Sequence, residues 1–106
     1  MEEISSLVIK AKNGDNTAFD RLYYLTQQEV WFTCISLLKN ETHAEEIMQN
    51  TYVTAFLKLN TLEENAKFPV WVKKIAVNKC KDFFKSQNRN CSLMMKFLRI
   101  ILKLRK

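Results

Sequence analysis

The chain has 106 residues, 47% of them hydrophobic and 26% charged, enough for one compact domain with one core and too little for two. One glycine and one proline leave few breakers among segments filled by Leu, Lys, Glu, Ala and Met, which argues against strands and for an all-α, compact bundle of four to five helices. The net charge of +6 is unevenly divided: residues 1–66 carry 5 Lys and Arg against 10 Asp and Glu, a balance of −5, and residues 67–106 carry 12 against the single Asp82, a balance of +11, so a polyanion is drawn to one region and the other is left free for a different partner.

Glu2 to Asn13 reads as a first helix, with Ile4, Leu7, Val8 and Ala11 on one side and Gly14 placed to end it in a left-handed conformation. Asp15 or Asn16 can cap a second helix running to about Lys39, in which Phe19, Leu22, Tyr23, Val30, Ile35, Leu37 and Leu38 supply apolar surface on more than one side, as a central helix does. Thr42 followed by Glu45 has the form of a capping box. It predicts a third helix with Ile47, Met48, Tyr52, Ala55, Phe56 and Leu59 as its inner stripe and Asn60 at its end. Glu45, Glu46, Gln49 and Asn50 fall in its first two turns, where the helix dipole favours the two acids. Capping and solvation account for much of that acidity without any partner.

Asn60 to Lys67 is a polar connection, and Pro69 sits where a first-turn proline is tolerated, so a fourth helix is predicted from near Phe68 to about Ser86. Along it Val72, Ile75, Ala76, Cys80, Phe83 and Phe84 recur at steps of three and four and should face a core. Lys74, Asn78, Lys81 and Lys85 recur at four, three and four on the opposite side. Such a face suits nucleic acid, because lysine neutralises phosphates without regard to sequence and an asparagine offers a paired donor and acceptor to a base edge. The alternative is a solvated lysine face on an ordinary surface helix. The polar run SQNRN reads as a break, and Ser92 to Leu104 as a fifth helix that gathers Leu93, Met94, Phe97, Ile100, Ile101 and Leu104 and turns Lys96, Arg99, Lys103 and Arg105 to solvent. At about thirteen residues it is too short to span a bilayer; docking on a protein surface and lying on a membrane surface are its two readings. The organisation expected is a helical domain over residues 1–86 and a linker with a basic amphipathic helix over residues 87–106.

The N-terminus MEEISSLVIK lacks the basic start and apolar run of a secretion signal, and no long uncharged apolar stretch exists, so a cytoplasmic location is expected. Cys34, Cys80 and Cys91 form an odd set with no close pair and His43 is the only histidine, which indicates neither a disulfide framework nor a metal site and leaves the thiols buried or idle. No glycine-rich phosphate loop, histidine pair or cysteine with a sequence-near base is present, and neither enzymatic activity nor a cofactor is expected.

Three stretches taken in order resemble region 2 of the bacterial RNA polymerase sigma factors, specifically the small extracytoplasmic-function (ECF) group. Ala18-Phe19 with Leu22-Tyr23 resembles that group's opening helix, AEEIMQNTYVTAF (Ala44 to Phe56) its AEDLVQETF-type segment, and FPVWVKKIAVNKCKDFFK (Phe68 to Lys85) its FxxWLxxIAxNxxxDxxR-type segment. The resemblance covers roughly residues 5 to 86, and the spacing of Phe68, Trp71, Ile75, Ala76, Asn78 and Asp82 matches throughout.

The resemblance implies a sigma region 2-like bundle and a non-enzymatic role in transcription initiation. Glu46, Gln49 and Asn50 fall where the family contacts the clamp helices of the largest subunit of core RNA polymerase; Glu46 keeps the charge of the commoner Asp, and Asn50 removes that of the commoner Glu. The fourth helix and the loop before it correspond to the reader of the promoter minus-ten element, where the family melts duplex DNA and captures a flipped base of the non-template strand. Asn78 is then the candidate for a base contact and Lys74, Lys81 and Lys85 for phosphate contacts. Lys73 and Lys79 are further phosphate candidates that lie nearer the apolar side; Trp71 either stacks on DNA or belongs to the core, and Asp82 is placed to orient a neighbouring lysine. Glu63 and Glu64 in the loop oppose phosphate. An anti-sigma factor is a further partner implied. Residues 87–106 are too few for the second helical domain that complete members carry. Two rival readings stand beside this one: another helical DNA-binding regulator that uses the lysine face on duplex, and a protein- or membrane-surface interaction module that uses residues 92–106.

Overall fold

The computed structural model of the chain describes residues 2–90, with side chains described for residues 3–86. Four α-helices and two single 3-10 turns make up that span: α1 (Glu2–Lys12), α2 (Asn16–Leu38), α3 (Glu41–Leu57), turns at Leu59–Thr61 and Asn65–Lys67, and α4 (Phe68–Asn90). No strand occurs among the described residues, and none of their helices is long and apolar enough to cross a membrane. The all-α bundle is therefore as expected, whereas the fifth helix predicted over residues 92–104, and Cys91 before it, lie outside the described residues.

Local chemistry sets where each helix stops and starts. Gly14 has φ +98°, and its N–H and that of Asp15 donate back to the carbonyls of Ala11 and Lys10 (both 3.0 Å), so α1 closes in the left-handed turn that glycine makes without steric cost. Of the two candidate caps for α2, Asp15 is the one used. Its Oδ1 accepts from the amides of Thr17 (3.0 Å) and Ala18 (3.3 Å) and from the Thr17 hydroxyl (2.6 Å); the Thr17 hydroxyl first, with those amides, holds the carboxyl below its ordinary pKa. At the other end Lys39, at φ 56°, turns the chain left-handed. Asn40 then caps α3, its Oδ1 accepting from the His43 amide at 2.9 Å. The Thr42–Glu45 capping box is thus not formed: α3 opens earlier because Asn is as good a cap as Thr, and Thr42 and Glu45 lie exposed within its first turns. Asn60 does not end α3 either; the helix closes at Leu57 and the chain tightens into the Leu59–Thr61 turn, which buries Leu59 and Leu62. The break expected at SQNRN is absent, since α4 runs through it to Asn90. That run contains no Gly or Pro, so extending a helix already anchored by packing costs little per residue.

Aromatic contacts give the helix directions. Phe19 near the start of α2 meets Phe56 late in α3 (ring centroids 5.2 Å) and Phe68 at the start of α4 (6.3 Å), while His43 early in α3 meets Phe83 late in α4 (4.7 Å). Helices α2 and α4 therefore run parallel with α3 antiparallel to both, and α1 packs on α2 and on the Asn65–Lys67 turn. Leu22, Val30, Phe68 and Val72 are fully buried between them, with Ala44, Ala55 and Ala76 at points where bulk would hold the helices apart; each large side chain so buried contributes about 1.5–3 kcal/mol. One polar contact crosses this core. Thr26 donates to the Leu22 carbonyl (2.8 Å), so the 2.5 Å contact between Thr26 and Tyr52 hydroxyls has Tyr52 as donor. Burial pushes the Tyr52 phenol up to about 12.

The inner stripes are narrower than their sequence pattern. Along α4, Val72, Ala76 and Cys80 are buried, Ile75 and Phe83 are half-buried and Phe84 faces out. Phe56 on α3 and Leu37 on α2 are also exposed, because each sits at the edge of a stripe that a bundle of this size cannot cover on both sides.

Candidate nucleic-acid and protein interfaces

The position of Val72, Ala76 and Cys80 in the core fixes the rotation of α4, and with it the outward direction of Lys74, Asn78, Lys81 and Lys85. All four are exposed. They lie on one side of one helix, and Lys74, Asn78 and Lys81 border an open groove of about 590 Å³ between α4 and α2, with Thr33 as the α2 wall and Val70, Lys73 and Val77 as the floor and rim. A second hollow, about 270 Å³, lies at the start of α4 and is lined by Thr61, Leu62, Glu63, Glu64, Lys67, Val70, Trp71 and Lys74. Val70 and Lys74 belong to both linings. The two depressions are therefore neighbours, with Val70 and Lys74 between the loop before α4 and the lysine-asparagine face.

The remaining residues named from the sequence divide in ways that periodicity does not show. Lys73 is half-buried, with Nζ 3.6 Å from Glu29 of α2, so its charge is already partnered. Trp71 packs on Phe68 (ring centroids 5.9 Å) and against the core, which is the core role held open for it, and it also lines the hollow. Lys79 is half-buried. Asp82 is exposed and stands within ion-pair distance of no lysine whose side chain is described, so it does not hold a lysine as expected. Sequence reasoning missed Val70, which is 55% exposed at the junction of groove and hollow, as well as Thr33, Val77 and Lys67. The available signal for Val70 was an apolar residue off the inner stripe of α4.

On α3, Glu46, Gln49 and Asn50 are all exposed and lie together, opposite buried Ala44, Ile47 and Thr51. Val53 (58% exposed) and Leu57 (75%) continue the row from Glu46 and Asn50 at steps of three and four, so the acid-and-amide patch runs into an apolar strip. The sequence reading had not placed these two at the surface. The thiols of Cys34 and Cys80 are free and buried side by side between α2 and α4; burial pushes Cys34 up to about 12 and raises Cys80, which keeps both protonated and unreactive near neutrality.

Comparison with known proteins agrees with this architecture. The chain is similar to the ECF RNA polymerase sigma factor SigW of Bacillus subtilis, 28% identical over 75 residues that cover 71% of this chain and 40% of that protein. It is also similar to the RNA polymerase sigma-H factor of Pseudomonas aeruginosa, 24% identical over 88 residues covering 83% of this chain and 46% of that protein. The chain thus spans less than half the length of either relative. A family model described as Sigma-70 region 2 matches residues 22–90, from the second turn of α2 to the end of α4, and with most of its length inside that match the chain belongs to the sigma-70 region 2 family.

Proposed function

We propose that this sigma factor domain binds core RNA polymerase through α3 and holds the opened non-template strand of the promoter minus-ten element along α4. The observation that carries the reading is that the loop hollow and the lysine-asparagine groove lie side by side and share Val70 and Lys74. A strand whose one unstacked base enters the hollow has its following phosphates beside Lys74, Lys81 and Lys85, which span about 16 Å along the helix, and a base edge within reach of Asn78. Taking a base out of the stack costs a few kcal/mol; stacking on an exposed aromatic edge such as that of Trp71 and the phosphate contacts offset it. Glu63 and Glu64 fit this division of labour, since carboxylates at the rim repel phosphate but accept from an exocyclic base amine. On α3 the exposed Glu46, Gln49 and Asn50 provide charge and hydrogen bonds to a basic partner helix, and Val53 and Leu57 provide the apolar contact that gives such an interface its strength.

The test is binding of labelled single-stranded minus-ten DNA and of the corresponding duplex by fluorescence anisotropy, with wild type, Asn78→Ala and Lys81→Ala. The single strand should bind more tightly than duplex; Asn78→Ala should lose discrimination between strand sequences by about 1–3 kcal/mol at one position, and Lys81→Ala should weaken all sequences alike. Preference for duplex would instead support a duplex-binding regulator working through the same face.

A further inference from the structure

The loop that lines the hollow is held by a residue outside the matched span. Lys12, the last residue of α1, extends a half-buried side chain whose Nζ donates to the Leu62 carbonyl (2.6 Å) and to Asn65 Oδ1 (2.7 Å). Neither acceptor is a carboxylate, so the ammonium is used as a directional donor and not as half of an ion pair. Its two acceptors bracket Glu63 and Glu64, and among the described residues these are the side-chain hydrogen bonds that tie residues 62–67 to the rest of the fold. The Asn65–Lys67 turn has no side-chain cap of its own, and it packs on α1. Leu62 is buried and lines the hollow.

We infer that Lys12 is a positioning residue for base capture: α1 uses its ammonium to hold the Leu62–Asn65 loop in the shape that admits an unstacked base. This rests on reading the hollow as the base site. A loop ordered before DNA arrives loses less conformational freedom when the base enters, so Lys12 raises selectivity for an occupied hollow without touching DNA.

Lys12→Met keeps the aliphatic stem and removes the donor; Lys12→Arg retains donors and charge. Two measurements on the full chain are needed. The first is amide hydrogen exchange: Lys12→Met should speed exchange across residues 61–67 by about tenfold or more, the effect of losing charge-assisted hydrogen bonds, and leave α2 and α3 unchanged. The second is affinity for a single strand of minus-ten sequence and for a series of the same strand carrying one abasic site at each position in turn. In wild type the position with the largest abasic penalty marks the captured base. Lys12→Met should shrink that penalty by roughly fivefold to tenfold while the abasic strand binds as before, and Lys12→Arg should restore much of it. A full penalty in Lys12→Met, or equal weakening on base-bearing and abasic strands, overturns the inference. A wild type with no abasic penalty at any position overturns the base-site reading beneath it, and is told apart from failure of the latch alone because that failure leaves the wild-type penalty intact.

Discussion

Glu29→Gln should make this domain bind single-stranded DNA more tightly. Glu29 of α2 holds the ammonium of Lys73, a groove residue, at 3.6 Å, with the two side chains 63% and 41% exposed. A pair this open to water is worth only about 0–1 kcal/mol to the fold, so removing the carboxylate should leave the melting temperature nearly unchanged. Its effect on a polyanion is read separately, in affinity and salt dependence. A freed Lys73 joins Lys74, Lys81 and Lys85, and each additional neutralised phosphate steepens the dependence of log affinity on log salt by about 0.7 for a single strand. At roughly 0.1 M salt that increment corresponds to about fivefold tighter binding, falling towards nothing near 1 M. The assay is a salt titration of anisotropy with a labelled single strand, comparing wild type, Glu29→Gln and the double variant with Lys73→Met. Glu29→Gln should show both the gain and the steeper slope, and the double variant should lose both. If Glu29→Gln binds with wild-type affinity and slope, Lys73 does not reach the strand and the groove is not the phosphate track.

Three further outcomes are expected. Leu57→Asp, at a site 75% exposed, should reduce association with core polymerase at least tenfold in a pull-down or titration while sparing stability and DNA affinity, since a charge in the apolar part of an interface loses its contact and gains a desolvation cost; wild-type association would remove α3 as the docking face. Lys39→Gly should stabilise the domain by about 0.5–1 kcal/mol in urea unfolding, because Lys39 sits at φ 56° where glycine is free of the Cβ clash; a loss of stability would show that the lysine side chain does more than connect α2 to α3. Stability should also fall as pH rises from about 9 towards 12. Cys34 and Tyr52 are raised to about 12 and Cys80 is raised too, so the folded state holds protons that the unfolded state releases first; their contribution is complete below the unfolded pKa values and is lost as pH passes through the folded ones. A urea midpoint that is flat between pH 8.5 and about 11 would contradict this.

What was legible in the sequence was what one segment decides for itself. The α4 stripe of Val72, Ala76 and Cys80 and the outward Lys74, Asn78, Lys81 and Lys85 follow from a 3.6-residue period, and Gly14 with Asp15 marks a helix boundary by local backbone chemistry alone. Where two local solutions are nearly equal in energy the sequence was ambiguous: Asn40 and Thr42 are both good caps, and packing of the chain into a two-residue connection selects Asn40. The SQNRN run misled because polar composition marks solvation, not loop, and a helix whose start is buried can carry polar residues onward. The Glu29–Lys73 pair, the Thr33 wall of the groove and the Lys12 contact with Leu62 and Asn65 join residues tens of positions apart, and no periodicity encodes them. Val53, Leu57 and Val70 were legible only as apolar residues off the stripe, a pattern that becomes informative once the rotation of each helix is known.

Leu57 is the last residue of α3 and Phe68 the first of α4, so the segment that forms the hollow is also the short tether between the two outward faces. Whatever clasps Leu57 restrains one end of that tether, and whatever fills the hollow restrains its middle. If polymerase docking and base capture take place as proposed, both act on this one short segment, and any coupling between them would run through it.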